Sequence, residues 1–105
     1  MKEEGYKLRT SYFKALSYPT RIKIIDFLKK GERSVGEISW QLKIKQANIS
    51  QHLAILRKAG IVTEKREGKI VYYNIKNRSV FEMLQFVDHI MHRGSKEHTK
   101  ALRSR

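Results

Sequence analysis

Apolar residues recur along most of this chain with a helical period, interrupted by one stretch that lacks it. Leu8, Tyr12, Phe13 and Leu16 form a first stripe, which predicts a helix over about residues 7–17. Pro19 opens a second helix. Its ring presets a helical φ, and at the first helical position no hydrogen bond is lost. Ile22, Ile25, Phe27 and Leu28 follow at roughly helical spacing, and Gly31 marks the stop. Ser34 with Glu37 three residues on is a capping-box arrangement for a short third helix, with Val35, Ile38 and Leu42 on one face. A brief turn, Lys43-Ile44-Lys45, leads into a fourth helix from about Gln46 to Ala59. There Ile49, Leu53 and Leu56 point inward, and Gly60 ends the helix. Two helices separated by so short a turn predict a helix-turn-helix unit.

Beyond Gly60 the residues suit strands. The stretches 61–66 and 70–75 are rich in β-branched and aromatic residues, and Glu67-Gly68-Lys69 between them is a glycine-bearing hairpin turn. A two-stranded antiparallel ribbon is expected. From Arg78 to about Arg93 the helical period returns, with Val80, Leu84, Val87 and Met91 on one face and Met83, Phe86 and Ile90 on an adjoining one. The expected fold is therefore mainly α with a small β-hairpin: about five helices plus a two-stranded antiparallel wing, the order of a winged helix-turn-helix. Residues 1–93 are expected to form one DNA-binding and dimerisation domain. The polar, basic stretch 94–105 is expected to fray as a tail.

Charge narrows the partner. The 105 residues carry 23 Lys/Arg against 10 Asp/Glu, a net +13, which favours a polyanion and nucleic acid before others. The absence of cysteine excludes disulfides, thiolate metal sites and cysteine redox sensing. No apolar run approaches membrane-spanning length, and Met1 to Gly5 lacks a signal peptide's apolar segment, so a cytoplasmic protein without a membrane partner is expected.

The fourth helix carries the chemistry for double-stranded DNA. Its apolar positions leave Gln46, Ala47, Asn48, Ser50, Gln51 and His52 at or near the opposite surface. Gln and Asn amides suit adenine edges, a small Ala suits a thymine methyl, and Ser50 and His52 suit bases or phosphates. Lys43, Lys45, Arg57 and Lys58 bracket the helix with charge for phosphates. Lys65, Arg66 and Lys69 give the hairpin a cationic tip suited to a minor groove.

These motifs, in this order, resemble those of the ArsR/SmtB-type repressors. Leu42 to Leu53 followed by Leu56 to Val62 is similar to their recognition segment. Arg66-Glu67-Gly68-Lys69-Ile70-Val71-Tyr72-Tyr73 is similar to their wing. Phe13-Lys14-Ala15-Leu16 with Pro19-Thr20-Arg21-Ile22 is similar to the start of their second helix. The resemblance covers about residues 11–85. It implies a symmetric homodimer built on the first and last helices, binding a pseudo-palindromic operator. One departure is Lys45, where the family has Ser or Thr as the recognition-helix cap. That removes an acceptor worth about 1 kcal/mol and places a cation where the helix dipole disfavours it. A phosphate drawn to that helix end would offset both effects, so Lys45 is expected to contact the DNA backbone.

The family's metal sensors are not recognisable. Ser34-Val35-Gly36 stands where one site has Cys-Val-Cys, and Asp88, His89, His92, Glu97 and His98 lack the spacing of the other. Asp88, His89 and His92 lie at helical spacings that could supply two ligands from each subunit, but solvated residues near a helix end are the simpler expectation. No metal and no cofactor are expected, and any effector stays unnamed. The dimer interface is expected to use Leu8 and Tyr12 with Val80, Leu84, Val87 and Met91. Trp40 lies off the apolar face of its helix, so it is either exposed or packed on a neighbouring helix or a partner subunit. No nucleophile–base set, phosphate-cradling loop or paired-carboxylate cleft is visible, so no enzyme is expected. A sequence-specific regulator, most simply a repressor, leads. A weakly specific architectural protein and a protein- or RNA-binding winged helix are the alternatives.

Overall fold

The computed structural model describes residues 2–93; the stretch expected to form a basic tail, with Glu97 and His98, lies outside the described residues. The chain runs α1 (Glu3–Ala15), α2 (Pro19–Leu28), β1 (Arg33–Ser34), α3 (Val35–Leu42), α4 (Gln46–Lys58), β2 (Val62–Glu67), β3 (Ile70–Ile75) and α5 (Ser79–Arg93). The winged helix-turn-helix order read from the periodicity is present. Three details differ.

First, α1 starts four residues earlier than the apolar stripe suggests. Its opening turn holds Glu3 and Glu4, which favour the positive end of a helix dipole without contributing an apolar period. Second, the sheet has three strands in the order β1-β3-β2, all antiparallel. The added strand pairs Arg33 with Tyr73 and Ser34 with Tyr72. Two residues are too few to show an alternation. Third, Val80 is a core residue and not part of an outer face. It packs inside its own protomer, so the expectation that it meets a partner is corrected. The wide apolar band of α5 divides along its length: Val80, Phe81, Met83 and Leu84 pack on the core, while Phe86, Val87, Ile90 and Met91 remain exposed.

The core is built from Ile24, Ile25 and Leu28 of α2, Ile38 of α3, and Ile49, Leu53 and Leu56 of α4, closed from below by Val62, Tyr73 and Ile75 of the sheet. The predicted capping box of α3 is formed: Glu37 N–H donates to Ser34 Oγ and Ser34 N–H to Glu37 Oε1, each at 3.0 Å. Gly60 takes φ 79° just after α4, and the Ile61 N–H returns to the Leu56 carbonyl at 2.9 Å. That left-handed residue ends the helix and turns the chain into β2. Gly68, at φ 63°, is the first residue of the two-residue hairpin loop, where a positive φ matches the twist of the strands. These caps and turns fix α4 against the sheet and so set its outer face beside the hairpin.

Candidate nucleic-acid interface

On α4 the inward positions Ile49, Leu53 and Leu56 are fully buried, which forces the intervening residues outward. Gln46, Ala47, Asn48, Ser50 and Gln51 are exposed, and His52 is half-buried. Lys43 and Lys45, before the helix, and Arg57 and Lys58, at its end, are exposed cations. Lys43 occupies the left-handed region at φ 57° as the C-cap of α3, which turns the chain sharply into α4. Lys45 is the N-cap of α4, and no side chain caps that helix end. Its first turn therefore presents unshielded backbone N–H groups toward whatever anion approaches.

The structure brings the start of α4 and the wing tip together. Gln46 and Ser50 line one shallow cleft with Lys69, Ile70 and Val71, floored by Ser34 to Gly36. The three wing cations are not equivalent. Residues alternate between the two faces of a strand. Arg66 shares its face with Glu64, which lies 3.8 Å from Arg57 of α4. Lys65 points the other way and is held by two carboxylates, Glu67 at 2.8 Å and Glu32 at 3.8 Å. The hydrogen bond to Glu67 and the charge of Glu32 raise the Lys65 ammonium above its ordinary range. Lys65 is thus a cation already paired with carboxylates, whereas Arg66 and Lys69 have no carboxylate partner among the described residues.

One further residue, which its position in the sequence does not mark as part of this surface, belongs with it. Arg21 of α2 is buried, and its Nε–H donates to His52 Nδ1 at 3.1 Å, across 31 positions of sequence. Burial first, and the Arg21 charge second, lower the His52 pKa below its ordinary 6.5. The only advance signal was the Pro19-Thr20-Arg21 motif, which indicates where the arginine stands and not what it touches.

Trp40 is 85% exposed and packs on no neighbouring helix of its own protomer; it borders a shallow depression with Lys43, Ile44 and Lys45 at the α3–α4 turn. Asp88, His89 and His92 are exposed on α5, and among the described residues no three His, Cys, Asp or Glu side chains gather in a way that could hold a metal ion. Nor, among those residues, is any helix long and apolar enough to cross a membrane.

A helix with a polar, cation-flanked outer face, set beside a basic hairpin, defines a winged helix-turn-helix of the DNA-binding kind. Residues 18–64 match the sequence profile described as "Bacterial regulatory protein, arsR family". An uncharacterized HTH-type transcriptional regulator of Mycobacterium tuberculosis, Rv0081, is 40% identical over 83 residues, 78% of this chain and 73% of the relative. Its crystal structure superposes with a TM-score of 0.76 over 88% of this chain and 93% of that one, at 35% identity. The transcriptional repressor SdpR of Bacillus subtilis is 33% identical over 81% of this chain and 94% of its own length. The homodimeric winged helix-turn-helix DNA-binding domain Mb0332 of Mycobacterium bovis gives a TM-score of 0.79 at 26% identity, over 93% and 96% of the two chains. This chain belongs to the ArsR family of transcriptional regulators.

Proposed function

We propose that the protein is a cytoplasmic, non-enzymatic transcriptional repressor that binds a pseudo-palindromic operator as a homodimer. The observation that carries this reading is the shared cleft of Gln46, Ser50 and Lys69, which sets a base-reading amide, a hydroxyl and a phosphate-seeking cation on one surface. Gln46, Ala47, Asn48, Ser50, Gln51 and His52 read the major groove. Lys43, Lys45, Arg57 and Lys58 take the backbone, and Arg66 and Lys69 of the wing take the flanking minor groove. Repression follows from occupancy: a dimer seated over a promoter excludes other proteins from it.

The dimer reading rests on α5, whose second half leaves a row of large apolar side chains in water, and on exposed Leu8 of α1. Leu84 and Tyr12 are partly buried against the core and would back this surface. A two-fold axis would then place two α4 helices in successive major grooves, about 34 Å apart.

Selection of bound duplexes from a random pool tests operator and dimer together. The expected product is an inverted repeat with half-site centres about one helical turn apart. Affinity for the selected duplex and for random duplex is then compared at several salt concentrations. Equal affinities at every salt would replace the repressor with an architectural DNA-binding protein. Indifference to duplex DNA alongside tight binding of RNA or a protein would move it out of DNA binding altogether.

A further inference from the structure

Arg21 is the one buried charged side chain among the described residues, only 7% exposed, and among those residues no carboxylate pairs with it. Its environment answers the charge in other ways. Nη1 lies 3.4 Å from each of the Lys14 and Ala15 carbonyls, at the negative end of the α1 dipole. The guanidinium sits 4.3 Å from the centre of the Tyr18 ring. With those groups holding it, Nε–H is aimed at His52 Nδ1, 3.1 Å away.

The polarity of that last bond decides the state of the imidazole. A guanidinium stays protonated and offers donors only. Nδ1 must therefore supply a lone pair, and a neutral imidazole with a bare Nδ1 carries its proton on Nε2. The depressed His52 pKa agrees with a neutral ring at physiological pH. His52 stands on the same helix as the exposed polar residues, one turn beyond Asn48.

We propose that Arg21 is a specificity-setting positioning residue: by fixing the Nε2–H tautomer of His52, it makes that side chain a hydrogen-bond donor only toward DNA. This rests on the operator-binding reading above. The chemistry His52 can recognise is then an acceptor: a phosphate oxygen, guanine N7 or O6, adenine N7, or thymine O4. The amino groups of cytosine N4 and adenine N6 would oppose it donor to donor. Arg21 acts from inside the fold, and the same side chain ties the C-terminal end of α1 to the recognition helix.

Long-range ¹H–¹⁵N correlation spectra of the wild-type protein at pH 7.5 test the tautomer directly. The expected pattern is a protonated Nε2 and a pyridine-like Nδ1 for His52. A proton on Nδ1, or two averaged nitrogens, overturns the proposal without reference to DNA. In Arg21→Met the two nitrogens should average, and an unchanged spectrum overturns it as well. Should Arg21→Met fail to fold, His52→Ala and His52→Gln carry the test on the duplex recovered by selection. His52→Ala is expected to weaken binding about tenfold, the effect of one good hydrogen bond, and His52→Gln, which retains an N–H donor, to recover part of it. A loss confined to one base-pair position supports the specificity role and identifies the base, whereas a loss equal on selected and random duplex identifies a phosphate acceptor and overturns that role. No loss on either overturns the donor role. A wild-type protein without preference for the selected duplex instead refutes the operator reading and leaves the tautomer result standing.

Discussion

Ile90→Glu tests whether the outer half of α5 is an interface. Phe86, Val87, Ile90 and Met91 are 64%, 44%, 56% and 66% exposed, so roughly half to two-thirds of each side chain is still available for burial. Full burial of such a side chain is worth about 1.5–3 kcal/mol, so each contributes about 1–1.5 kcal/mol on docking. The four give about 5 kcal/mol per protomer and about 10 for a symmetric pair. Association itself opposes this with about 4–15 kcal/mol of lost freedom. The α5 face alone therefore sits near balance, and the exposed Leu8 and Phe13 of α1 tip it toward the dimer.

A glutamate at position 90 removes one of the four contributions and does so twice, once per protomer. It also asks two carboxylates to leave water for a largely apolar surround. A dimer dissociation constant raised at least about a thousandfold is expected. Sedimentation equilibrium across a range of protein concentrations reads that constant. Far-UV circular dichroism serves as the control that the monomer is folded, which the exposure of Ile90 leads one to expect. Operator affinity should fall as well, because the second half-site is no longer bound by a tethered partner. An Ile90→Glu protein that dimerises as tightly as wild type would show that the partner sits elsewhere.

Other consequences follow from single contacts. Leu53→Ala empties a fully buried site beneath α4 and should cost about 3 kcal/mol by urea unfolding, in the usual range for such cavities. Lys69→Ala should reduce the salt slope of DNA binding by about one, whereas Lys65→Ala, whose cation already faces Glu67 and Glu32, should barely move it. Lys45→Ser should lower both DNA affinity and its salt slope while stabilising the free protein by up to about 1 kcal/mol, through a regained N-cap. Because the folded-state pKa of His52 is lowered, the unfolded chain takes up its proton first as pH falls. The stability tied to neutral His52 is thus complete above about 6.5 and declines below it. Urea midpoints measured between pH 7.5 and 5.5 should fall on acidification, and His52→Gln should flatten that trend.

What the amino-acid order made legible was whatever is settled within a few residues. The capping box at Ser34 and Glu37, the stop at Gly60, the hairpin turn at Gly68 and the inward row Ile49, Leu53 and Leu56 are local patterns, and each appears where its pattern lies. The start of α1 escaped because a helix opening on charged residues has no apolar period to read. Val80 was misassigned for a different reason. A helical stripe records that a residue seeks an apolar neighbour, and it is silent on whether the neighbour belongs to the same chain. Only the packing divides α5 at Leu84 into a half that faces inward and a half left in water.

The same limit explains the candidate site. That α4 shows its amides outward follows from its buried row, and spacing sufficed to find them. Which cation is already paired does not follow from spacing: Lys65 looks identical to Lys69 in sequence until Glu32, brought in from the loop before β1, is placed beside it. Arg21 likewise looks like one more basic surface residue in a chain of net charge +13, yet it is buried and reaches the recognition helix. In so basic a protein the cation count states only that a polyanion is attracted. Which bases are preferred depends on the few groups whose donors and acceptors are fixed by distant partners. Altering Arg21 should therefore alter base preference, whereas altering a free cation such as Lys58 should alter affinity for all duplexes alike.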